Sequence, residues 1–357
     1  MTRRSPPLHP LLLAVTLTLA LPVLLVLSVR VGDTGWQDLG TCLQGGLAAF
    51  GLREPLPGQL QTIIELRLWR ALTAAGVGAS LGLAGALIQG LFRNGLASPS
   101  VLGVTGGASL GATLAILVLG AGGTALLAVG PETARLLVPL SGFVGAAATV
   151  TLVTLLATGG GRLSVPALLL TGIALNTCIA GILALISALT LSDWDVSRAI
   201  LAWTFGTLED RSPAHAATVW VGLLVAAAAI PFVAWELDLF QAGEDDARAL
   251  GVNTGRVRVL CILSSSLAAA TAVAVAGQIA FVGLVVPHLV RLLAGRGHRA
   301  LLPLSLLLGA AFLLGVDLGQ RLLLGRAVLP PGVLMSLIGG PFFLLLLFLH
   351  RREIDAW

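Results

Sequence analysis

The chain has 357 residues, of which 57% are hydrophobic and only 11% are charged, with a formal net charge of +4 and a mean hydropathy of +0.98. Soluble domains carry about 25% charged residues, and a soluble core could not bury this much apolar surface. The composition excludes a disordered chain, a disulfide scaffold and a cytosolic enzyme. It predicts an all-α integral membrane protein.

Ten apolar runs predict about ten transmembrane helices in a single transmembrane domain that covers residues 1–357. The first run exceeds the core of a signal peptide, about 7 to 15 residues, and lacks a cleavage site, so we expect a retained span. The polar stretch 31–66 predicts a loop outside the bilayer. The run 259–293 is too long for one helix, and a tight turn at Gly277 and Gln278 predicts two spans there. The predicted spans cover residues 11–29, 71–91, 100–120, 136–157, 165–191, 214–233, 259–277, 279–297, 301–323 and 331–350.

Arginine supplies all 21 basic residues, because the sequence contains no lysine. With ten spans both termini lie on one side of the membrane. That side collects twelve arginines, the other side nine, and the bias predicts cytoplasmic termini. A phosphate-binding P-loop needs a lysine, so this chain cannot hydrolyse ATP by a P-loop. The arginines are scattered singly rather than gathered in a stripe, which argues against nucleic acid as a partner.

Acidic residues form two local clusters, Asp193 with Asp195 and Glu244 with Asp245 and Asp246. Paired acidic motifs can hold Mg²⁺ in a membrane-embedded transferase that acts on a lipid diphosphate, for example a prenyltransferase. Such a site needs both clusters in one cavity, whereas the predicted topology puts them on opposite sides. Solvated loops explain the first cluster better, and a cytoplasmic contact surface explains the second.

Asp317 is the acidic residue well inside a predicted span, and Arg321 lies four residues on, on the same helical face. Because a charge in the bilayer is costly, the two side chains either neutralise each other or line water. His288 has no second ligand at metal-binding spacing, and no metal site is predicted. The cysteines Cys42, Cys178 and Cys261 are far apart and suggest neither a disulfide framework nor a metal site.

Four ordered motifs together resemble one family, the FecCD-type permease subunits of bacterial ABC importers for iron chelates, haem and cobalamin. The resemblance runs from about residue 65 to residue 349. Its most specific pieces are RLWRALTAAGVGASLGLAGALIQGLFRNGLASPSVLGVTGGASLGA (67–112), GEDDARALGVN (243–253), IAFVGLVVPHLVRLL (279–293) and LPPGVLMSLIGGPFF (329–343).

The resemblance implies the type II ABC importer permease fold, a homodimer with the pathway at its axis, and two separate ATPase subunits that bind ATP and Mg²⁺. This chain then needs no cofactor of its own and is not an enzyme. In the family, a cytoplasmic loop, here about residues 236–257, forms two short helices that dock on the ATPase. The matching residues are Gly243, Glu244, Ala247, Leu250 and Gly251.

The family also binds a periplasmic or lipid-anchored substrate-binding protein through arginines, which suit carboxylates. The matching residues are Arg67, Arg70 and Arg321, and the alternative is that these arginines anchor the helices at the headgroups. The inner gate of the family corresponds to Asn94 and Leu96 and to the stretch Ser164, Val165 and Pro166. Four positions depart from the family pattern. Trp69 and Gly95 each stand where the family has proline, and Gln278 and Ala280 stand where it usually has proline and glycine.

The sequence therefore predicts a permease in the bacterial inner membrane that imports an iron chelate, most simply a ferric siderophore. Haem or cobalamin import by the same fold is the alternative, because a pathway lined by small and apolar groups would contact all of these bulky ligands weakly. The Mg²⁺-dependent transferase is the alternative of another class.

Overall fold

A computed structural model describes residues 9–32, 35–120, 131–159, 162–324 and 329–349 of the chain. Its architecture is all-helical apart from a two-residue antiparallel pair, in which β1 (Thr158–Gly159) lies beside β2 (Arg162–Leu163). A 3₁₀ turn covers Pro99–Leu102. The α-helices in chain order are α1 (Pro10–Arg30), α2 (Leu39–Ala49), α3 (Leu60–Leu91), α4 (Val104–Gly120), α5 (Pro131–Ala157), α6 (Val165–Leu189), α7 (Trp194–Thr204), α8 (Pro213–Ala227), α9 (Ile230–Phe240), α10 (Glu244–Ala249), α11 (Thr254–Ala276), α12 (Val282–Ala294), α13 (His298–Leu324) and α14 (Pro331–Leu349).

Six helices in the described part of the chain are long and apolar enough to cross a bilayer, namely α1, α3, α5, α6, α11 and α13. The helices α8 and α9 together are also long and apolar enough for one span, with a bend of 54° between them, and α4, α12 and α14 are shorter apolar helices. Each of the ten predicted runs therefore contains an apolar helix, and the predicted all-α membrane fold is confirmed. The terminal arginines used to predict the orientation, Arg3, Arg4, Arg351 and Arg352, lie outside the described residues.

The bend between α8 and α9 has a local cause in Pro231, the second residue of α9. A proline ring clashes with the carbonyl group four residues earlier and removes one hydrogen bond. That carbonyl belongs to Ala227, which is the last residue of α8. The predicted span 214–233 was too short at its second end, since α9 continues to Phe240.

The predicted turn at Gly277 is present, but the span after it is not a full crossing. Helix α11 ends at Ala276, Gly277 has φ +71°, and α12 begins only at Val282. With 13 residues, α12 is about 20 Å long, which is less than the hydrocarbon core. The prediction of a helix over 279–297 was therefore wrong at both ends, because residues 277–281 are unwound and α12 ends at Ala294.

The predicted loop over 31–66 was also wrong in part. Helix α2 occupies its middle, and α3 begins at Leu60 rather than near residue 71. The first turns of α3 contain Glu65, Arg67 and Arg70, whose charges resemble those of a loop. Arg67 and Arg70 are accommodated by partners from distant parts of the chain, whereas Glu65 accepts a hydrogen bond from Gln61 on the same helix.

Helix α3 lies at the centre of the fold, with 94% of its apolar window buried. Glycines let it approach its neighbours closely: a Cβ at Gly78 would meet the carbonyl of Gly309 in α13, and one at Gly85 would meet that of Gly283 in α12. The hydrophobic effect does not drive helices together inside a bilayer, so the close van der Waals packing that small residues permit stabilises their contact. The long helices α3 and α13 therefore form a rigid frame that connects the two ends of the molecule.

Candidate functional site

A cavity of about 430 Å³ opens beside α10, and we call it the α10 cavity. It brings together residues that the sequence motifs placed in two separate roles. Glu244 comes from the predicted ATPase-coupling loop, whereas Ser164, Val165 and Pro166 come from the predicted gate. The remaining lining residues are Leu91, Phe92, Arg93, Phe240 and Arg258.

Helix α10 is a short, well-terminated element. It begins after Gly243, whose φ of +137° favours glycine, and its end is a Schellman motif around Gly251 with φ +88°. In that motif the Val252 N–H donates to the carbonyl of Ala247 (3.0 Å), and the Gly251 N–H donates to that of Arg248 (2.9 Å). The expectation of two short helices in this loop was wrong, because α11 follows directly at Thr254. The loop itself is also shorter than the predicted 236–257.

The predicted coupling residues on α10 divide into a buried and an exposed group. Ala247 is fully buried against the core, whereas the Leu250 side chain is 65% exposed. Glu244 is held by two arginines, since its Oε1 accepts from Nη2 of Arg248 and from Nη2 of Arg258, both at 2.7 Å. One carboxylate thus connects a neighbour on its own helix with a residue on the first turns of α11.

The predicted gate residues lie at two helix ends. Asn94 and Leu96 are exposed after the end of α3, where the Asn94 side-chain oxygen accepts from the Leu96 N–H at 2.9 Å. Ser164 caps α6 by accepting from the Ala167 N–H at 3.4 Å. The structure brings the Ser164 stretch to the α10 cavity, but Asn94 and Leu96 are not among its lining residues.

At the opposite end of α3 and α13 lies a buried charge cluster around Asp317, a residue about 28 Å along α13 from its start at His298. Its carboxylate accepts from Arg70 Nη2 at 2.8 Å and is paired with Arg321 Nη2 at 3.0 Å. Gln320 Nε2 also donates to this carboxylate, at 3.3 Å. Asp317 is 2% exposed, so this carboxylate is neutralised by protein partners rather than by water. We call Arg67, Arg70, Asp317 and Arg321 the arginine cluster.

The second set of donors in the cluster caps the end of α1. Arg321 Nη1 donates to the carbonyl groups of Ser28 (2.9 Å) and Val31 (2.8 Å). The last carbonyls of a helix have no partner within the helix and carry the negative end of its dipole. A guanidinium group is therefore favoured at this position, and Arg321 ties α1 to α13.

Arg67 makes an equivalent connection from α3. Its Nη1 donates to the carbonyls of Val29 (3.1 Å) and Arg30 (3.0 Å), and its Nη2 donates to that of Gly35 (3.3 Å). A Cβ at Gly32 would collide with the guanidinium group, so glycine is needed there for the arginine to lie against the backbone. The arginine therefore shapes the chain that leads out of α1.

The proposal that these arginines contact a binding protein stays a prediction. Arg67 and Arg321 are 8% and 7% exposed, and the side chain of Arg70 is 14% exposed. Of the three, Arg70 offers the largest free surface for an external carboxylate. The ion pair between Arg70 and Asp317 spans 247 positions of sequence, and no signal in a single sequence could have identified it.

Sequence reasoning predicted a turn at Gly277 but missed the extent of the unwound segment 277–281 and its hydrogen-bond partners. Arg211, in the loop before α8, donates from Nη1 to the Val275 carbonyl at 2.5 Å, and burial lowers its pKa to about 10. Gln278 donates to the hydroxyl of Ser109 in α4, and the Thr207 N–H donates to the Ala276 carbonyl at 2.8 Å. Backbone groups that leave a helix inside the protein need such partners.

The acidic clusters that could serve a transferase have other roles. Asp193 caps α7 by accepting from the Val196 N–H at 3.2 Å, and Glu244 is paired with arginines. The two lie at opposite ends of α6, a 25-residue helix about 37 Å long, so one ion could not bind both. Among the described residues, no group of three or more His, Cys, Asp and Glu side chains could hold a metal ion.

The fold and these motifs match known transporters. Residues 17–349 match the model of the FecCD transport family. The chain is 36% identical over 351 residues to the cobalamin import system permease protein BtuC of Halobacterium salinarum, covering 95% of this chain and 90% of that protein. It is also 36% identical over 343 residues to the Fe(3+) dicitrate transport system permease protein FecD of Escherichia coli, covering 96% and 99%. A solved structure described as an inward-facing conformation of a metal-chelate type ABC transporter matches with a TM-score of 0.77 and 30% identity, covering 95% of this chain and 99% of that chain. The chain therefore belongs to the FecCD transport family, whose members are membrane permeases of ABC importers.

Proposed function

We propose that this chain is the membrane-spanning subunit of an importer that carries a ferric chelate across the bacterial inner membrane. The observation that carries the proposal is the similarity over nearly the whole chain to a ferric dicitrate permease, together with the structural match to a metal-chelate type transporter. Both termini lie in the cytoplasm in this proposal, so that the α10 cavity faces the cytoplasm and the arginine cluster faces outward.

The transporter is a homodimer in which α6 faces the partner or the pathway. Only 11% of the apolar window of α6 is buried in the single chain. Its buried side consists of Leu168, Gly172 and Ile179. The side opposite carries an exposed row of small residues, and at Gly181 an added Cβ would meet nothing within 4 Å. Small residues at this spacing permit close approach of another helix, and the row consists of Ala174, Thr177, Gly181, Ala184 and Ala188.

Two ATPase subunits supply the energy through α10. The sequence contains no lysine for a P-loop, so ATP and Mg²⁺ belong to separate chains. The apolar side chain of Leu250, next to Gly251, is 65% exposed and is therefore available to a partner. The buried Ala247 holds α10 on the core of the permease.

A substrate-binding protein docks at the arginine cluster, chiefly at Arg70. Arginine pairs with carboxylates through two parallel hydrogen bonds, and in the structure Arg70 already binds Asp317 in this way, from Nη2 to Oδ1 at 2.8 Å and from Nε to Oδ2 at 3.3 Å. A carboxylate of the binding protein would share the exposed edge of the same guanidinium group.

The test is uptake into proteoliposomes that contain the permease, its ATPase and its binding protein. Labelled ferric chelate, haem and cobalamin are supplied in parallel, and each is measured with and without ATP inside the vesicles. ATP-dependent uptake of the ferric chelate supports the proposal. Uptake of cobalamin or haem alone overturns the substrate class, and the cobalamin permease of Halobacterium salinarum makes cobalamin the leading alternative.

Cross-linking tests the homodimer. Cys178 on α6 is exposed, whereas Cys42 and Cys261 are buried. In a Cys178→Ser background, a cysteine at Gly181 should cross-link two copies through a short bifunctional maleimide, and a cysteine at Leu185, outside the small-residue row, should do so less. Equal absence of cross-linking at both positions would contradict the arrangement.

A further inference from the structure

The ion pair between Glu244 and Arg258 joins α10 to α11 on the side of the α10 cavity. We propose that Arg258 is a positioning residue that carries a displacement of α10 to α11. The proposal rests on the proposed function, in which the ATPase moves α10. It assigns a role to a residue outside the family motif at 243–253.

Three connections hold α10 on α11. The first is the ion pair, with Glu244 Oε1 and Arg258 Nη2 at 2.7 Å. The second is the hydrogen bond from Arg248 Nε to Thr254 Oγ1, at 3.0 Å. The third is the covalent Schellman turn, which fixes the exit of α10. The ion pair reaches from the start of α10 and therefore prevents α10 from pivoting about the turn at its other end.

The two arginines on Glu244 differ in burial. The Arg258 side chain is 11% exposed, whereas that of Arg248 is 51% exposed. An exposed pair within one helix is screened by water and salt and contributes little. A shielded pair between helices holds its geometry and is costly to separate. Force on α10 is therefore resisted chiefly at Arg258.

The cavity explains why the force goes to α11. Glu244 and Arg258 form one wall of the α10 cavity, and Ser164, Val165 and Pro166 line another. The space between α10 and the start of α6 is thus open, while the side toward α11 is bridged. A displacement of α10 is passed to α11 first, and it changes the cavity next to the predicted gate.

Helix α11 leads from the ion pair of Glu244 and Arg258 to the unwound segment at the other end of the fold. Its 23 residues are about 34 Å long. Near its far end the Val275 and Ala276 carbonyls accept from Arg211 and Thr207, and the next residues leave the helix. A movement along α11 would therefore reach the segment 277–281, where irregular backbone can rearrange without breaking a helix.

The matched pair of variants Arg258→Gln and Arg248→Gln tests the role. Each removes one cation from the same carboxylate oxygen. Arg258→Gln breaks the shielded ion pair between the helices, whereas Arg248→Gln removes the exposed ion pair within α10 and a hydrogen bond to Thr254. We expect both variants to co-purify with the ATPase subunits and to support its ATP hydrolysis. Arg258→Gln should lower substrate uptake per ATP hydrolysed at least tenfold, and Arg248→Gln should change that ratio less than twofold. Arg258→Lys, which keeps the charge, should recover part of the loss and guards against a variant that fails to fold.

Charge exchange gives the decisive result. Glu244→Arg alone should uncouple uptake from hydrolysis, whereas Glu244→Arg combined with Arg258→Glu should restore the ratio to within threefold of the original protein. No rescue in a folded, assembled complex, or equal ratios for the Arg258 and Arg248 variants, overturns the proposal. These measurements need an original protein that transports, so loss of uptake in the unaltered complex would instead refute the proposed function.

Discussion

The two ends of the molecule use arginine and carboxylate in different ways. In the arginine cluster, two guanidinium groups, of Arg70 and Arg321, are paired with one carboxylate, and further donors of Arg321 and Arg67 bind main-chain carbonyls at the end of α1. At the α10 cavity, one carboxylate is shared by two arginines, and water reaches part of the group because the Glu244 side chain is 33% exposed. The chemistry is the same, but the surroundings differ.

This difference in exposure to water indicates which ion pairs can be separated. A charge network that is almost fully buried is strongly penalised when one partner is lost, so it holds α1, α3 and α13 in one arrangement. At the α10 cavity, the exposed pair between Glu244 and Arg248 can be separated at a smaller cost, since water replaces the lost partner, whereas the shielded pair with Arg258 keeps α10 attached to α11. The cluster therefore suits a fixed frame, and the α10 cavity suits a joint.

The largest expected effect comes from breaking the arginine cluster at its carboxylate. Asp317→Ala leaves Arg70 and Arg321 without their shared counter-charge, and the loss of one partner of a buried pair costs about 3–5 kcal/mol. We expect a large fall in the Tm of the detergent-solubilised protein. The Tm is measured from the change in tryptophan fluorescence on heating. Asp245→Ala at the other end is the control, because that side chain is 99% exposed, and its Tm should not change. Equal Tm values for both variants would remove the distinction between frame and joint.

A smaller effect should follow from removing one cap of α1. Arg67→Gln leaves carbonyls of Val29 and Arg30 without their donor, and each unsatisfied buried group costs about 1–3 kcal/mol. The matched change at the joint, Arg248→Gln, should cost less than about 1 kcal/mol because the pair is exposed. Denaturation midpoints of the two variants measure the difference. A larger loss for the Arg248 variant would contradict the role assigned to Arg67.

These results bear on what a sequence can predict. Hydropathy predicted the apolar runs because a helix that crosses a bilayer needs about 20 apolar residues whatever their neighbours. Helix α11, for example, ends within one residue of its predicted end, although it begins five residues before its predicted start. It failed for the first turns of α3, where Arg67 and Arg70 mimic a loop. Their partners lie 38 and 247 positions away, and only tertiary packing brings them close.

The candidate site was predictable to a different degree. The family motifs identified Glu244 and the stretch Ser164–Pro166 separately, and the structure brings these residues to one cavity. No local pattern linked Glu244 to Arg258, which lies 14 positions on and in another helix. The pairing of Asp317 with Arg321 was predictable from their helical spacing, but Arg70 as a second partner was not.

Docking of a binding protein should depend on Arg70 more than on its neighbours. Arg70→Gln removes the most exposed guanidinium group of the cluster and should weaken binding of the partner about tenfold, equivalent to about 1.4 kcal/mol. Asp317 retains Arg321 in this variant, so the protein should remain folded. Affinity is measured with the permease in nanodiscs at two salt concentrations, since a contact between charges weakens with salt. If the Arg67 variant, at equal folded content, loses more affinity than the Arg70 variant, the docking surface lies closer to α1.

The smallest effect concerns two helix ends beside the α10 cavity. Both α3 and α10 end in Schellman motifs, but the left-handed position is Gly251 after α10 and Arg93, with φ +50°, after α3. A left-handed residue other than glycine is strained by about 1 kcal/mol, and glycine in turn loses more entropy on folding. Arg93→Gly should therefore raise stability by about 0.5 kcal/mol, whereas Gly251→Ala should lower it by about 1 kcal/mol.

The two variants are compared by their Tm and by substrate uptake. If Arg93→Gly raises the Tm and yet slows transport, the strain is retained because the arginine is needed at the cavity, and unchanged transport would mean that the side chain has no role there.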